Sequence, residues 1–187
     1  MILASQSPRR IELLREAGFA FTVEPADIDE APLPGENPFQ LVERLARAKC
    51  AAVAGERAAL GETVLAADTI VALDGEFLGK PADEADARRM LRELSGRTHQ
   101  VATGVCIMRG PADAAPTAFV DVTDVTFFEL NAAEIEAYVA SGEPLDKAGA
   151  YGIQGTGGRL LVRSIHGDFY NVVGLPIARV VRALAGN

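Results

Sequence analysis

A carboxylate interrupts an otherwise apolar run at Val64-Leu65-Ala66-Ala67-Asp68-Thr69-Ile70-Val71. Burying an acid is expensive unless it is paired or metal-bound, and a strand holds such a group rigidly. Asp68 therefore reads as chemistry, against the alternative of a strand-end acid pairing with a nearby Arg or Lys. A second cluster is Ser5-Gln6-Ser7-Pro8-Arg9-Arg10, placed where a strand gives way to a helix. Free N–H groups and the partial positive charge of a helix N-terminus accept phosphates. Two hydroxyls, Ser5 and Ser7, and two guanidiniums, Arg9 and Arg10, add further donors for phosphate oxygens. A capped helix with exposed arginines has equal weight on pattern alone.

Two lysines and an acid extend this set. On a helical wheel Phe39, Val42, Leu45, Ala46, Cys50 and Val53 form one apolar face, and Lys49 falls within it. Such a lysine either snorkels to the edge or reaches into an internal cleft. Lys80 stands in Gly79-Lys80-Pro81, where the proline fixes the chain just after it; the plain alternative is a solvated lysine. Glu30, in Asp27-Ile28-Asp29-Glu30, belongs to an acidic loop that either offers hard oxygen ligands to a divalent cation or is a solvated turn. His99 and His166 lack partners at zinc-ligand spacing, so His99 reads as structural and His166 as a loop residue. The stretch Gly149 to Gly158 is glycine-rich enough for backbone to approach a flat ligand, and the plain alternative is a tight turn. It matches neither the phosphate-loop nor the dinucleotide fingerprint.

These residues need elements to position them. The coarse pattern is mixed α/β. Strands are predicted over 1–4, 19–24 and 63–73, then a hairpin through Asp74-Gly75 to 76–78, then 99–108 and 118–130. Helices are predicted from Ser7-Pro8 to Gly18, from Asn37-Pro38 to about Gly55, from Asp83 to Ser95-Gly96, from Asn131 to Ser141, and over 176–184. Asn131 and Glu134 make a capping-box variant. Residues 146–170 read as strand and loop. The long central β runs imply antiparallel pairing in part of the sheet.

Composition sets outer bounds. At 187 residues, 49 % apolar and 24 % charged, the chain is an ordinary globular one without repeats or low-complexity segments. The net charge of −8 disfavours nucleic acid as a partner. Cys50 and Cys106 are too few for a disulfide framework and read as small buried hydrophobes. The first residues do not form a signal peptide, and the late apolar stretch 169–178 is too short for a membrane span, so a cytoplasmic protein with no membrane partner is expected.

Taken together, six segments closely resemble the motifs of Maf proteins over nearly the whole chain. They are Ser5-x-Ser7-Pro8-Arg9-Arg10, Ala67-Asp68-Thr69, Gly79-Lys80-Pro81, Ser95-Gly96-x-Thr98-His99, Asp146-Lys147-Ala148-Gly149-Ala150-Tyr151-Gly152-Ile153-Gln154-Gly155, and Val173-Gly174-Leu175-Pro176. The fifth is highly specific; the three-residue ones are not. The resemblance implies an inosine-triphosphatase-like α/β fold, one domain over 1–187 whose two lobes flank a nucleotide cleft. It implies hydrolysis of a nucleoside triphosphate between the α- and β-phosphates with Mg or Mn, and a homodimer. The Asp-Lys-Ala-Gly-Ala-Tyr-Gly-Ile-Gln stretch is similar to the branch acting on dTTP and UTP. By the same carry-over Asp68 matches the proton acceptor, and Arg9, Thr69 and Gln154 match specificity positions. Glu30, Lys49 and Lys80 match positions of catalysis or phosphate binding.

The chemistry can also be read without the family. Displacement at phosphorus needs charge neutralisation, positioning and an oriented water. Arg9, Arg10, Lys49 and Lys80 supply cations. Glu30 and Asp68 are the candidate metal ligands, and Asp68 either accepts a proton or chiefly holds the metal. Two other readings compete: a pyrophosphatase for modified nucleotides, and a non-enzymatic nucleotide-binding regulator of septation.

Overall fold

Residues 1–110 and 115–186 are described by a computed structural model, leaving aside the side chains at 56, 58 and 59. In chain order the strands are β1 (Ile2–Leu3), β2 (Thr22–Val23), β3 (Val64–Leu73), β4 (Glu76–Leu78), β5 (Thr98–Met108), β6 (Thr117–Phe127) and β7 (Val162–His166). The helices are α1 (Pro8–Glu16), α2 (Pro38–Ala59), α3 (Glu84–Leu94), α4 (Ala132–Ala140), α5 (Gly158–Leu161), α6 (Phe169–Val173) and α7 (Ile177–Ala185). The seven strands share one sheet in the order β2-β1-β3-β5-β6-β7, with β4 on β3. β1 lies parallel to both neighbours, pairing Ile2 with Thr22 and with Val64. β4 and β7 run antiparallel to β3 and β6. The mixed sheet expected from the alternating and long β runs is present.

The chain packs as two compact units. One comprises Met1–Thr69, Thr103–Asp121 and Gly174–Asn187; the other comprises Ile70–Ala102 and Val122–Val173. The boundary falls inside β3, β5 and β6. In the first unit, the apolar face of α2 packs on the sheet through Ala46, Cys50, Val53 and Ala54, against Ile2, Ala4, Val64, Ala66 and Cys106. Both cysteines are free and fully buried there, as small hydrophobes. α2 bends at Gly55 (φ 15°, ψ −119°), where the sequence predicts its end.

Close approach of α2 to the sheet depends on one glycine. A Cβ on Gly104 of β5 would lie 2.2 Å from the Val42 carbonyl oxygen and 2.9 Å from the Glu43 nitrogen, and helix backbone cannot rotate away. Gly104→Ala is expected to destabilise the protein by about 1–3 kcal/mol through overpacking. The check is a lower denaturant midpoint with unchanged slope; an unaltered midpoint would remove the contact from the account.

In the second unit the hairpin turns through Asp74 (φ 53°) and Gly75 (φ 85°), the paired positive φ angles of a type I′ turn. Asp83 caps α3 by accepting from the Asp86 amide, and Asn131 and Glu134 form the predicted capping box on α4. Three local expectations need correction. Ser7 precedes α1 but makes no side-chain cap; Pro8 at the first position leaves fewer orphan donors to satisfy. His166 closes β7 opposite Asp124 rather than lying in a loop. Residues 169–173 form the short helix α6, too brief to announce itself by periodicity.

Candidate active site

The first unit gathers most of the predicted site residues. β3 carries Asp68 and Thr69, with the Asp68 side chain 11 % exposed. Lys49, on α2, does not snorkel. Its ammonium nitrogen lies 2.6 Å from Asp68 Oδ1 and 2.7 Å from Glu30 Oε1, and its side chain is only 12 % exposed. A second clamp pins the chain that follows Glu30: Arg44 donates from Nε to Glu36 Oε1 (2.6 Å) and from Nη2 to Glu36 Oε2 (2.8 Å) and the Ala31 carbonyl (2.9 Å). Arg44 holds the Glu36 carboxyl down to about 2, so this clamp keeps its charges at neutral and mildly acid pH. A groove of about 760 Å³ beside this clamp, lined by Leu33, Gln40, Arg44 and Ala48 among others, touches none of the predicted site residues.

Arg10 is buried, unlike the exposed arginine of the plain reading. Its Nε donates to the Gly174 carbonyl (2.8 Å), Nη1 to Ser5 Oγ (3.0 Å) and Nη2 to Thr69 Oγ1 (2.9 Å). Desolvation lowers its pKa and the nearby Asp68 charge opposes that, so the guanidinium stays a fixed cation. Thr69 Oγ1 also lies 2.9 Å from Thr103 Oγ1. Because it accepts from an obligate donor and faces Thr103 and the Gly174 carbonyl, its one proton is committed within the protein. Thr69 is thus held from three sides by Arg10, Thr103 and Gly174. Ser7 and Arg9 are partly exposed beside this network, the Ser7 amide donating to Ser5 Oγ at 3.3 Å.

Thr103 and Gly174 were missed as network members. A threonine inside a β run reads as strand propensity, and Gly174 entered only as part of a motif. Its φ of 127° is a conformation few side chains tolerate, and that is the physical signal it carries.

Lys80 and Gln154 belong to the second unit, and both are exposed. The glycines around Gln154 form a tight turn, the plain alternative of the sequence reading, and sit close to the protein's own groups. A Cβ on Gly155 would fall 1.6 Å from Glu143 Oε1, on Gly157 2.4 Å from Tyr138, on Gly158 2.2 Å from the Gly152 carbonyl, and on Gly152 2.7 Å from Lys147. The protein's own groups fill the space those side chains would take. His99 is structural, as read. It is 1 % exposed, lies 2.8 Å from the Tyr151 hydroxyl and edge-on to Phe127, and burial holds its pKa down to about 4.

Lys49→Met separates charge from packing, since Met keeps the apolar stem. It should strand Asp68 among buried neighbours and cost of the order of 3 kcal/mol, the scale for losing one partner of a buried pair. Adding Asp68→Asn should recover much of that loss. Strict additivity in the double-mutant cycle would show that the two groups do not act together.

The arrangement offers one strand-borne carboxylate, a lysine bridging it to a second acid, and an arginine fixing two hydroxyls beside it. Comparison with known proteins places the whole chain in one family. The model of the Maf-like protein family matches residues 1–187. A dTTP/UTP pyrophosphatase of Anaeromyxobacter dehalogenans (strain 2CP-C) is 55 % identical over 185 residues, 98 % of this chain and 92 % of its own length. A dTTP/UTP pyrophosphatase of Koribacter versatilis (strain Ellin345) is 53 % identical over 184 residues, with the same coverage. Among solved structures, a HAM1 protein from Coxiella burnetii superposes with a TM-score of 0.52 at 18 % identity, covering 100 % of this chain and 98 % of its own, a likeness of fold alone. With its mixed sheet, its motifs and a match from first residue to last, this chain belongs to the Maf family.

Proposed function

We propose that this protein hydrolyses dTTP and UTP between the α- and β-phosphates, giving the nucleoside monophosphate and pyrophosphate, in the cytoplasm. The observation that carries this reading is identity above one half, over almost the whole chain, to relatives named dTTP/UTP pyrophosphatase. The geometry of Asp68, Lys49 and Glu30 supports turnover rather than sensing, since binding alone requires no acid poised on a rigid strand. No helix among the described residues is long and apolar enough to cross a membrane.

The fold family implies a divalent metal, Mg or Mn, and the residues present can be tested against it. Glu30 and Asp68 converge on one cation, the Lys49 ammonium, which stands where a metal's charge is needed. Among the described residues no third His, Cys, Asp or Glu joins them. Two carboxylates suit Mg, which keeps waters and takes its remaining ligands from substrate phosphates. The residues fit a metal that arrives with the nucleotide. A divalent cation there would neutralise phosphate oxygens and acidify water.

The chain's own residues do the rest. Water adds to phosphorus, its proton passes to an Asp68 carboxylate oxygen, and the anhydride P–O bond breaks to release pyrophosphate. Lys49, drawn from its acids towards the triphosphate, offsets the charge that develops on the departing oxygens. Arg10 keeps Ser5 and Thr69 in place. Arg9 and Lys80 serve as further cations, Ser7 as a hydroxyl donor.

Specificity lies in the base. Uracil and thymine present an N3–H donor flanked by carbonyls, which match the acceptor and donors of a Gln amide, so Gln154 is the base reader, with Arg9 and Thr69 as secondary candidates. Cytosine has an unprotonated N3 and an amino group instead. Pyrophosphate release from dTTP, UTP, CTP, ATP and GTP tests the reading. dTTP and UTP should be turned over at similar kcat/KM, and CTP and the purines should be poor. Gln154→Ala should narrow the gap between UTP and CTP. Equal kcat/KM for CTP and UTP in the wild type would refute it.

A further inference from the structure

The loop that presents Gln154 is shaped by a carboxylate that none of the motifs singles out. Glu143 opens a short 3-10 turn, Glu143–Asp146, directly after α4. Its Oε1 accepts from the Tyr138 hydroxyl (3.0 Å) and the Gly158 amide (3.3 Å), and its Oε2 from the Gly157 amide (3.2 Å). The Tyr138 oxygen accepts in turn from the Gly152 amide at 3.2 Å, so the phenol's single proton is the one given to Glu143. The segment from Gly152 to Gly158 is therefore gripped at both ends by one tyrosine–glutamate pair. Between the grips, the Gly155 amide donates to the Gly152 carbonyl at 3.0 Å, closing a turn. Ile153 is buried within it, and Gln154 stands exposed at the third position.

We propose that Glu143 is a positioning residue for pyrimidine selection: with Tyr138 it fixes the turn on which Gln154 meets the base. The proposal rests on the reading of Gln154 as base reader. Three donors on one carboxylate leave Glu143 little capacity to bind substrate itself, so its effect passes through the backbone of the loop. The vacant Cβ position of Gly155 is filled by the same carboxylate, so register and height of the turn are set together. Burial keeps Tyr138 protonated by raising its pKa, which preserves the donor throughout the working pH range. A reader held by two anchors arrives pre-organised, and selectivity among similar bases depends on that placement more than on affinity.

The test compares kcat/KM for UTP and CTP in wild type, Gln154→Ala, Glu143→Ala, Glu143→Gln and Tyr138→Phe, with melting curves for each. Gln154→Ala should lower the UTP/CTP ratio by about tenfold or more. Glu143→Ala should lower it to a similar extent in a folded protein, and the double variant with Gln154→Ala should fall no further. Glu143→Gln, which keeps one acceptor oxygen, should recover part of the ratio. If Glu143→Ala does not fold, Tyr138→Phe carries the test, because it removes both the proton given to Glu143 and the acceptor for Gly152. A wild-type ratio in folded Glu143→Ala or Tyr138→Phe, beside a collapsed ratio in Gln154→Ala, would overturn the role of Glu143 alone. An unchanged ratio in Gln154→Ala would overturn the reader itself, and the positioning role with it.

Discussion

Asp68→Asn should slow pyrophosphate release from dTTP by about 100-fold or more, the usual scale for a positioned acid–base group. Asn keeps the shape of the side chain, and the Lys49 ammonium retains Glu30 at 2.7 Å, so the fold should survive. Nucleotide binding should survive as well, because one negative charge facing the phosphates is removed. The same variant separates the two roles open to Asp68. A proton acceptor leaves Mn affinity of the nucleotide complex unchanged while turnover falls and its pH dependence flattens. A ligand lowers Mn affinity in step with rate. Turnover near wild type would take Asp68 out of the mechanism.

Exhaustive chelation should abolish turnover by a comparable or larger factor. The chain carries a net charge of −8, and its substrate is close to tetra-anionic at neutral pH. Lys49 is paired with two carboxylates, so moving it towards the triphosphate leaves two further negative charges to be offset. A divalent ion is worth several kcal/mol of charge stabilisation in such a displacement, and every 1.36 kcal/mol is about tenfold in rate. A loss of at least about 100-fold is the expectation, with Mg or Mn restoring activity and Ca serving poorly because it tolerates looser geometry. Undiminished release of pyrophosphate in chelator would exclude a metal-dependent mechanism.

Much of this architecture was legible because the chemistry conflicts with the local pattern. An acid in a buried strand and a lysine on an apolar helical face each violate binary patterning, and both now meet in one ion pair, Lys49–Asp68. Capped helices were equally visible: Asp83, Asn131 and Glu134 form the bonds their spacing predicts. What escaped depends on partners distant in sequence. No local pattern says that Arg10 reaches Gly174, that Thr103 backs Thr69, or that the glycines of 152–158 make room for Tyr138 and Glu143. Gly104 reads as a weak point in a strand until the α2 backbone is seen against it.

The bond from Arg10 to Gly174 also has a consequence in time. A chain made from its N-terminus presents Ser5 five residues before Arg10. The Thr69 acceptor arrives 59 residues later and the Gly174 carbonyl 164 residues later. Until then a guanidinium destined for the interior lacks an acceptor it needs there, and its burial before that moment would be costly. Burial of Arg10 with all three of its acceptors therefore depends on chain made 164 residues after it. A product ending before Gly174 would leave this guanidinium without that acceptor.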